Sequence, residues 1–408
     1  MASTAVFERH VAPARAWWLA PLGGVAAIVQ ALVFVYVGLL GGVLDLAGLL
    51  WRRLLPAKRI DAGIERAARA IAPAVLADVR DWPILPVLAS ITVLVPASAA
   101  LQCLHLGVSW VLLCVLHHAV LLGAGGQRFA KLFSIKHNEA HRPKGFFRGA
   151  GRRLLSRYTE VISMFFYGNI FGLDCIHHVK VHHAEDGGPD DPQYPRGYDR
   201  TSTWSFLRYL GTQHLGVSLG FATVRYLRAN GRTHDLRVFV ASMAAFYAYA
   251  ALLLWYNWHV AVALVIGPLF LSNLFAGLAS WLQHSFESDT VADPIANTIT
   301  ILSPTEYLNE GFHLAHHYRS GTHWTELPQR FDEWQARHPD ANPVVLDGVD
   351  WVELAILLYV RRRLDLVAER WRPLSTAQAG LSVADRTTLL RQRLGGGAFG
   401  RAASSGLR

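Results

Sequence analysis

Nine of the nineteen histidines are spaced as metal ligands are. His137 and His141 form an HxxxH, His178, His182 and His183 an HxxxHH, and His313, His316 and His317 an HxxHH. His284 stands alone between the second and third groups. Residues three or four apart share one helix face, so each group presents two or three rings to the same side. Imidazole suits iron, zinc, copper and nickel, so the pattern predicts a transition metal before it says which. A structural zinc takes four ligands and a catalytic zinc three plus water. Nine imidazoles therefore fit two ions better than one. The set has almost no carboxylate, unlike soluble di-iron bundles with their repeated Glu-x-x-His. The one such spacing, Glu310 to His313, is expected to supply an acceptor that orients an imidazole N–H. Glu139 sits one place too late for a zinc-protease HExxH.

These groups need elements that bring them together, and composition says where those elements lie. The chain has 408 residues, 52% hydrophobic and 17% charged, with positive mean hydropathy, which is the membrane class. Cys103, Cys114 and Cys175 form neither a CxxC pair nor an even framework, so a disulfide scaffold and a cysteine zinc site are both unsupported. The net charge of +9 sits in segments flanking apolar stretches. It marks cytoplasmic loops and membrane-lipid contact rather than a nucleic-acid partner. Trp17, Trp18, Trp51, Trp82 and Trp281 lie near the ends of apolar stretches, as an interfacial belt would.

A membrane-crossing helix needs roughly 20 apolar residues. Residues 82–122 supply about twice that, with Pro96 and small residues near the middle, and predict a helical hairpin; residues 238–282 predict a second. Residues 17–50 fit one tilted helix or a re-entrant pair, and a cleaved signal peptide is not expected there. A hairpin returns the chain to the side it left, so two hairpins put all nine histidines on one face. Arg128, Lys131, Lys136, Arg142, Lys144, Arg148, Arg152, Arg153 and Arg157 lie between them and mark that face as cytoplasmic. The expected fold is an all-α, multi-pass integral membrane protein. Two transmembrane hairpins and an N-terminal hydrophobic segment would stand under a cytoplasmic helical cap holding a histidine-rich di-metal site. Val161–Leu173, Trp204–Leu227 and Val349–Val367 are expected to be interfacial or cap helices. The Gly-Gly-Pro-Asp-Asp-Pro run at 187–192 should end the helix of the second group. The expected divisions are 1–80 (hydrophobic segment and basic linker), 81–335 (membrane di-metal domain), 336–374 (C-terminal cap helix) and 375–408 (a mobile tail rich in Gly, Ala, Ser and Arg).

The HxxxH, HxxxHH and HxxHH boxes, with a lone histidine after the second hairpin, resemble those of the membrane fatty acid desaturase superfamily, over about residues 82–335. That superfamily includes acyl desaturases, hydroxylases and a branch that decarboxylates fatty acids to terminal alkenes. The resemblance implies two iron ions held by His137, His141, His178, His182, His183, His284, His313, His316 and His317. It implies oxidation of an unactivated C–H bond of an acyl lipid by O2, with the chain in an apolar tunnel. Electrons would come from an external ferredoxin or cytochrome, since no His-Pro-Gly-Gly segment is fused, and the basic face would steer an acidic donor. The chain departs from the pattern in two places. Acyl-CoA desaturases carry Asn four residues before the lone histidine, where this chain has Ser280, and His177 beside the second box competes with His178. The segment Tyr318-Arg-Ser-Gly-Thr-His323-Trp324 resembles bacterial members whose reactions vary.

Desaturation is the leading reading. Hydroxylation or decarboxylation to 1-alkenes is its rival on the same scaffold, a zinc enzyme is a weaker one, and a histidine-rich metal transporter is the rival outside enzymes. A transport site belongs on broken helices near the bilayer midplane, whereas these boxes flank the apolar stretches. His117 and His118 are expected to pack or support; His105, His214, His234, His259 and His338 are expected to be ordinary. His323 stands close enough to the third box to support it. Asp190 and Asp191 could serve either ligand imidazoles or the turn, and Asn257 and Asn273 either a tunnel or helix contacts.

Overall fold

The structure is a computed structural model. It describes residues 20–394 apart from 55, 105–106, 189, 196–197, 287–297, 304–306, 340 and 342. Trp17, Trp18, His105 and residues 395–408 lie outside the described residues.

Helix α1 (Ala20–Leu54) is one continuous rod, not a re-entrant pair. It runs across the bundle: Gly48 meets Ala124, the Tyr36 hydroxyl lies 3.1 Å from His118 Nδ1, and Gly23 faces Thr212. Its outer face exposes Val25, Leu32, Val35, Leu39, Val43 and Leu46, each by more than half. Such an apolar row suits lipid and not water. Helix α2 (Ala57–Val75) leads through a short turn to the first hairpin, α3 (Ile84–Cys103) and α4 (Trp110–Leu122). The break between them comes after Cys103, not near Pro96, which lies inside α3. Apolar surroundings favour keeping the backbone helical through a proline, because a loop there would leave more groups unpaired. At 13 residues α4 reaches only about 20 Å, and the chain bends by 53° into α5 (Gln127–Ala140).

Two short helices, α6 (Gly149–Leu155) and α7 (Tyr158–Phe166), lead to a π-helical segment, Leu173–His182, that runs into α8 (His183–Glu185). Next come α9 (Thr203–Tyr209), a π turn at Leu210–His214, α10 (Leu215–Ser218) and α11 (Phe221–Ala229). The second hairpin follows: α12 (Thr233–Tyr256), then α13 (Trp258–Ala261) running through a π turn into α14 (Gly267–Gln283). Gly168, at φ +65°, lets the chain cross α14 so closely that a Cβ there would sit 2.3 Å from Leu269 N. The hairpin tips meet, with the Trp110 ring stacked 4.4 Å from His259 and 5.2 Å from Trp258. Among the described residues four helical runs are long and apolar enough to cross a membrane, Gly23–Leu54, Ile84–Cys103, Thr233–Tyr256 and Trp258–Gln283, and the bent pair α4–α5 makes a fifth if it is one span.

The rest of the described chain follows the second hairpin. It includes α15 (His313–Tyr318), α16 (Leu327–Arg337), α17 (Trp351–Ala355) and α18 (Leu364–Arg370). One feature is not helical: β1 (Thr300–Leu302) pairs in parallel with β2 (Val345–Asp347), Ile301 opposite Leu346. Residues 336–374 therefore form a strand and two helices in place of one cap helix. Nor is the whole C-terminal stretch a mobile tail. Residues Thr376–Ala379 (α19) and Val383–Leu394 (α20) are helical, because Leu390 and Leu394 recur one turn apart and are buried with Val367 and Ala368 of α18. Trp281 of α14 is fully buried against these C-terminal elements and donates from Nε1 to Tyr359 Oη at 2.6 Å.

Candidate metal centre

Buried acids fix the elements that carry the boxes. Glu160 on α7 accepts the backbone N–H groups of Gly172 (2.8 Å) and Cys175 (3.0 Å), which caps the start of the π-helical segment. Lys136 on α5 reaches Asp174 on that segment at 2.8 Å, both side chains nearly buried. Glu139 takes the hydroxyl and the backbone N–H of Thr159, tying α5 to α7. The first and second boxes are thus held from behind before any metal is considered.

All nine box histidines converge, and they divide into two adjoining groups. In the first, Nε2 atoms form a closed ring: His137 to His316 at 2.8 Å, His316 to His183 at 2.9 Å, His183 to His178 at 3.1 Å, His178 to His137 at 3.0 Å. The nearest ligand atom of His141 lies within 4.8 Å of each of theirs, and its Nε2 is buried without a partner. The second group holds His182, His284 and His317 within the same limit. His313 Nε2 lies 3.0 Å from His317 and 3.4 Å from His284. The rings of His183 and His317, 4.4 Å apart, join the two groups.

Each box with a paired HH serves both groups. Adjacent residues on a helix point about 100° apart, so His182 and His183 diverge, as do His316 and His317. The π-helical turn is wider than an α turn, with i→i+5 bonding. It brings His178 and His183 together and turns His182 to the other group, where α-helical spacing would have stacked His178 on His182. On α15 the ordinary i, i+4 pair, His313 and His317, stays together.

Carboxylates hold the far side of three rings. His137 Nδ1 lies 2.5 Å from Glu310 Oε1, His182 Nδ1 2.7 Å from Asp191 Oδ2, and His317 Nδ1 contacts Asp186 Oδ1. A carboxylate accepts, so each Nδ1 donates and each Nε2 offers a lone pair to the centre. Burial, and then neighbouring imidazoles, hold His178, His183, His313 and His316 well below the usual histidine range, which keeps them neutral. Burial opposes ionisation of Asp191, but the His182 ring beside it keeps that carboxyl below its ordinary range.

These facts test whether a metal fits. Lone pairs crowded around one point repel unless a cation sits among them. Neighbouring nitrogens 2.8–3.1 Å apart have the spacing of ligands that share one ion at metal–imidazole bond lengths of about 2.0–2.1 Å. His141 Nε2, buried and unpartnered, has no other use among the described residues. The donor set fits two transition-metal ions.

The remaining histidines fall outside the groups. His177 is turned away, with Nε2 3.1 Å from Gln193 Oε1 and Nδ1 2.9 Å from Thr223 Oγ1, while His178 faces the ring. His214 meets Asn273 at 2.9 Å; His117 and His118 contact Ser98 and Tyr36; His259 and His338 stack on Trp110 and Trp334. Asp191 serves ring and turn together, since Gly187 N (3.3 Å) and Gln193 N (2.9 Å) also donate to it; Asp190 is exposed. Glu310 orients His137 of the first box, although its spacing had pointed to His313. Sequence reasoning missed Asp186, whose signal was its place three residues after the HH of box two.

Sequence reasoning also missed Asp81, which is fully buried at the start of the hairpin region. It accepts from Arg142, the neighbour of His141, from Trp324 Nε1 at 2.9 Å, and meets His323 Nε2 at 3.1 Å.

Two recesses reach the first group. One is lined by His137, His141, Arg142, Glu310, His316 and Thr322. The other, a cleft of about 610 Å³ including its open mouth, is lined by Phe133, His137, His178, Gln193, Ala279 and Gln283 among others. A family model described as Fatty acid desaturase matches residues 109–346, more than half of the chain. The chain belongs to the fatty acid desaturase family. The match takes in every box histidine and leaves out α1 to α3 and the strap carrying Asp81. No curated protein matches the chain. Membership makes it an oxidoreductase of the desaturase type, with a lipid substrate and a membrane setting, in a family that uses iron.

Proposed function

We propose that this desaturase-family protein is a di-iron, O2-dependent membrane oxidase that introduces a double bond into a long acyl chain. The observation that carries the reading is the division of nine buried or half-buried imidazoles into two joined groups, five nitrogens around one point and four around another. His137, His141, His178, His183 and His316 would hold one iron, and His182, His284, His313 and His317 the other. Iron at these positions supplies the chemistry that turns O2 and electrons from an external ferredoxin- or cytochrome-type donor into an oxidant for an unactivated C–H bond. The balance is one O2, two electrons, two protons and two hydrogens of the acyl chain, giving an alkene and two waters.

The chain's own residues do the rest. Glu310, Asp186 and Asp191 fix the tautomers of His137, His317 and His182, so that no ring need rotate during turnover. The cleft lined by Phe133, Leu173, Val217, Ala276 and Ala279 offers an apolar wall that leads to His137 and His178. With lipid filling the recesses that reach the half-buried ring, bulk water would be kept from competing for the oxidant. Arg128, Lys131, Arg142 and Arg157 lie on the histidine side, while the hairpin tips carry no Lys or Arg over 104–110 and 250–262. That asymmetry supports a cytoplasmic site. Hydroxylation and decarboxylation to a 1-alkene share the hydrogen removal and are the alternatives. The test is GC–MS of cell lipids and culture headspace from a host expressing the chain, compared with the His316→Ala variant. A new unsaturated acyl chain, absent in the variant, supports the reading. A hydroxylated product or an alkene one carbon shorter replaces it, and zinc in place of iron in the purified protein ends it.

A further inference from the structure

Helix α2 carries a surface that the metal centre does not use. Ile60, Ile64 and Ile71 are 42%, 47% and 52% exposed, yet they fall within about 40° of one another at 100° per residue. They form one stripe along the helix. Ala68 and Ala72, on the neighbouring arc, are buried, Ala72 among Ile84, Leu88 and Phe146. The helix is therefore seated on the bundle with its isoleucine stripe facing outward. Lys58, Arg59 and Arg66 lie on the far arc and form no ion pair among the described residues, whereas Arg69 is taken by Glu65 at 2.8 Å and by the Trp82 ring at 4.0 Å. The end of α2 is pinned to the segment between α5 and α6, with Ala77 N donating to Phe146 O at 2.8 Å and Arg148 N to Val75 O at 3.0 Å.

We propose that α2 lies in the plane of the bilayer surface on the histidine side, its isoleucine stripe among acyl chains and its basic arc on anionic lipid headgroups. Two observations select a membrane as the occupant. The lipid-suited face of α1 ends at Trp51 and Leu54, exposed by 59% and 80%, with only two residues between Leu54 and the start of α2, so the isoleucine stripe follows it closely in the chain. The unpaired cations flank that surface, as they do on helices that rest on anionic membranes. The contact reaches the centre mechanically, because α2 leads straight into the Asp78–Asp81 strap that grips Arg142 and His323.

The test places an environment-sensitive fluorophore at Ile64→Cys or, as internal control, at Ala62→Cys, nearly opposite on the helix. The full chain, with Cys103, Cys114 and Cys175 changed to alanine, is held in lipid nanodiscs. Quenching by doxyl-labelled lipid is expected to be about twofold stronger at position 64 than at 62. It should strengthen further when phosphatidylglycerol is added to phosphatidylcholine, and that gain should vanish in Arg59→Glu/Arg66→Glu. Equal quenching at the two positions overturns the in-plane placement. Quenching at 64 that ignores both phosphatidylglycerol and the charge reversals overturns the headgroup contact.

Discussion

The two imidazole groups are built from the same residue type but differ in support and access. In the group of His182, His284, His313 and His317, two rings are held by Asp191 and Asp186, and none of the four lines either recess. In the group of His137, His141, His178, His183 and His316, among the described residues only His137 has a carboxylate hydrogen-bonded behind it, and four of the five line a recess. One group is braced and enclosed; the other is less braced and reachable. Under the proposed function, the contrast would put the meeting of substrate and oxidant at the reachable group, with the enclosed group holding the second ion.

Ligand removal has the largest expected effect. His316→Ala should abolish product formation, a loss of at least about 100-fold, and lower the iron content; His182→Ala should do the same from the enclosed side. Metal analysis alongside lipid GC–MS reads both, and full turnover in either variant, with confirmed expression, removes that residue from the ligand set. The next effect separates the groups. Asp191→Asn, at a fully buried carboxylate, should weaken iron retention about 10- to 100-fold in chelator competition. Glu310→Gln should cost turnover more than iron, since Glu310 borders both recesses. Equal iron loss in the two variants would erase the distinction between braced and reachable.

A smaller effect is expected where no ligand is touched. Ala279 lines the cleft on α14, and Ala279→Leu adds bulk along the path to His178. Turnover should fall roughly tenfold with iron content unchanged, because filling a pocket costs substrate binding on the order of 1–3 kcal/mol. Unchanged rates on every acyl lipid tried would mean that the substrate approaches from the other recess.

How much of this could be read beforehand follows from which forces are local. The box histidines were legible because helical periodicity is written in i, i+3 and i+4 spacing, and the apolar stretches because lipid demands length. The π-helical form of Leu173–His182 was not legible. Nothing in His178-Val-Lys-Val-His182-His183 separates it from an α turn, and it depends on Glu160 capping from α7, twelve residues before Gly172. His177 against His178 could not be decided for the same reason, since the choice rests on Gln193 and Thr223. The C-terminal helix α20 was missed because Gly- and Arg-rich composition outweighed the Leu390–Leu394 repeat, and β1–β2 pairing is a contact between residues 45 apart. Asp81 left no signal at all in its neighbours.

Asp81 gives the smallest effect and the finest test of the reachable group. Its carboxylate is buried, and although burial opposes ionisation, His323 and Arg142 hold it below the ordinary aspartate range. A depressed pKa means stabilisation that is present above the ordinary value near 4 and lost as pH falls through the folded-state value. Asp81→Asn keeps the shape and removes the charge, leaving Arg142 with a neutral partner. Arg142 is partly exposed and water compensates it, so the cost should be about 2 kcal/mol, below that of a fully enclosed pair. Because Arg142 follows His141 directly and His323 follows the third box, the loss should appear at the reachable group. The variant should release iron somewhat faster and be cleaved more readily by protease near 323, with its spans still inserted. Asp78→Asn, which loses the exposed Arg80 and a longer 3.7 Å contact with His323 but leaves the Asp81–Arg142 pair intact, should change both far less. If both variants behave alike, the strap merely closes the surface; if Asp81→Asn alone loosens iron, the N-terminal arm outside the family-matched region is part of what keeps the reachable group in register.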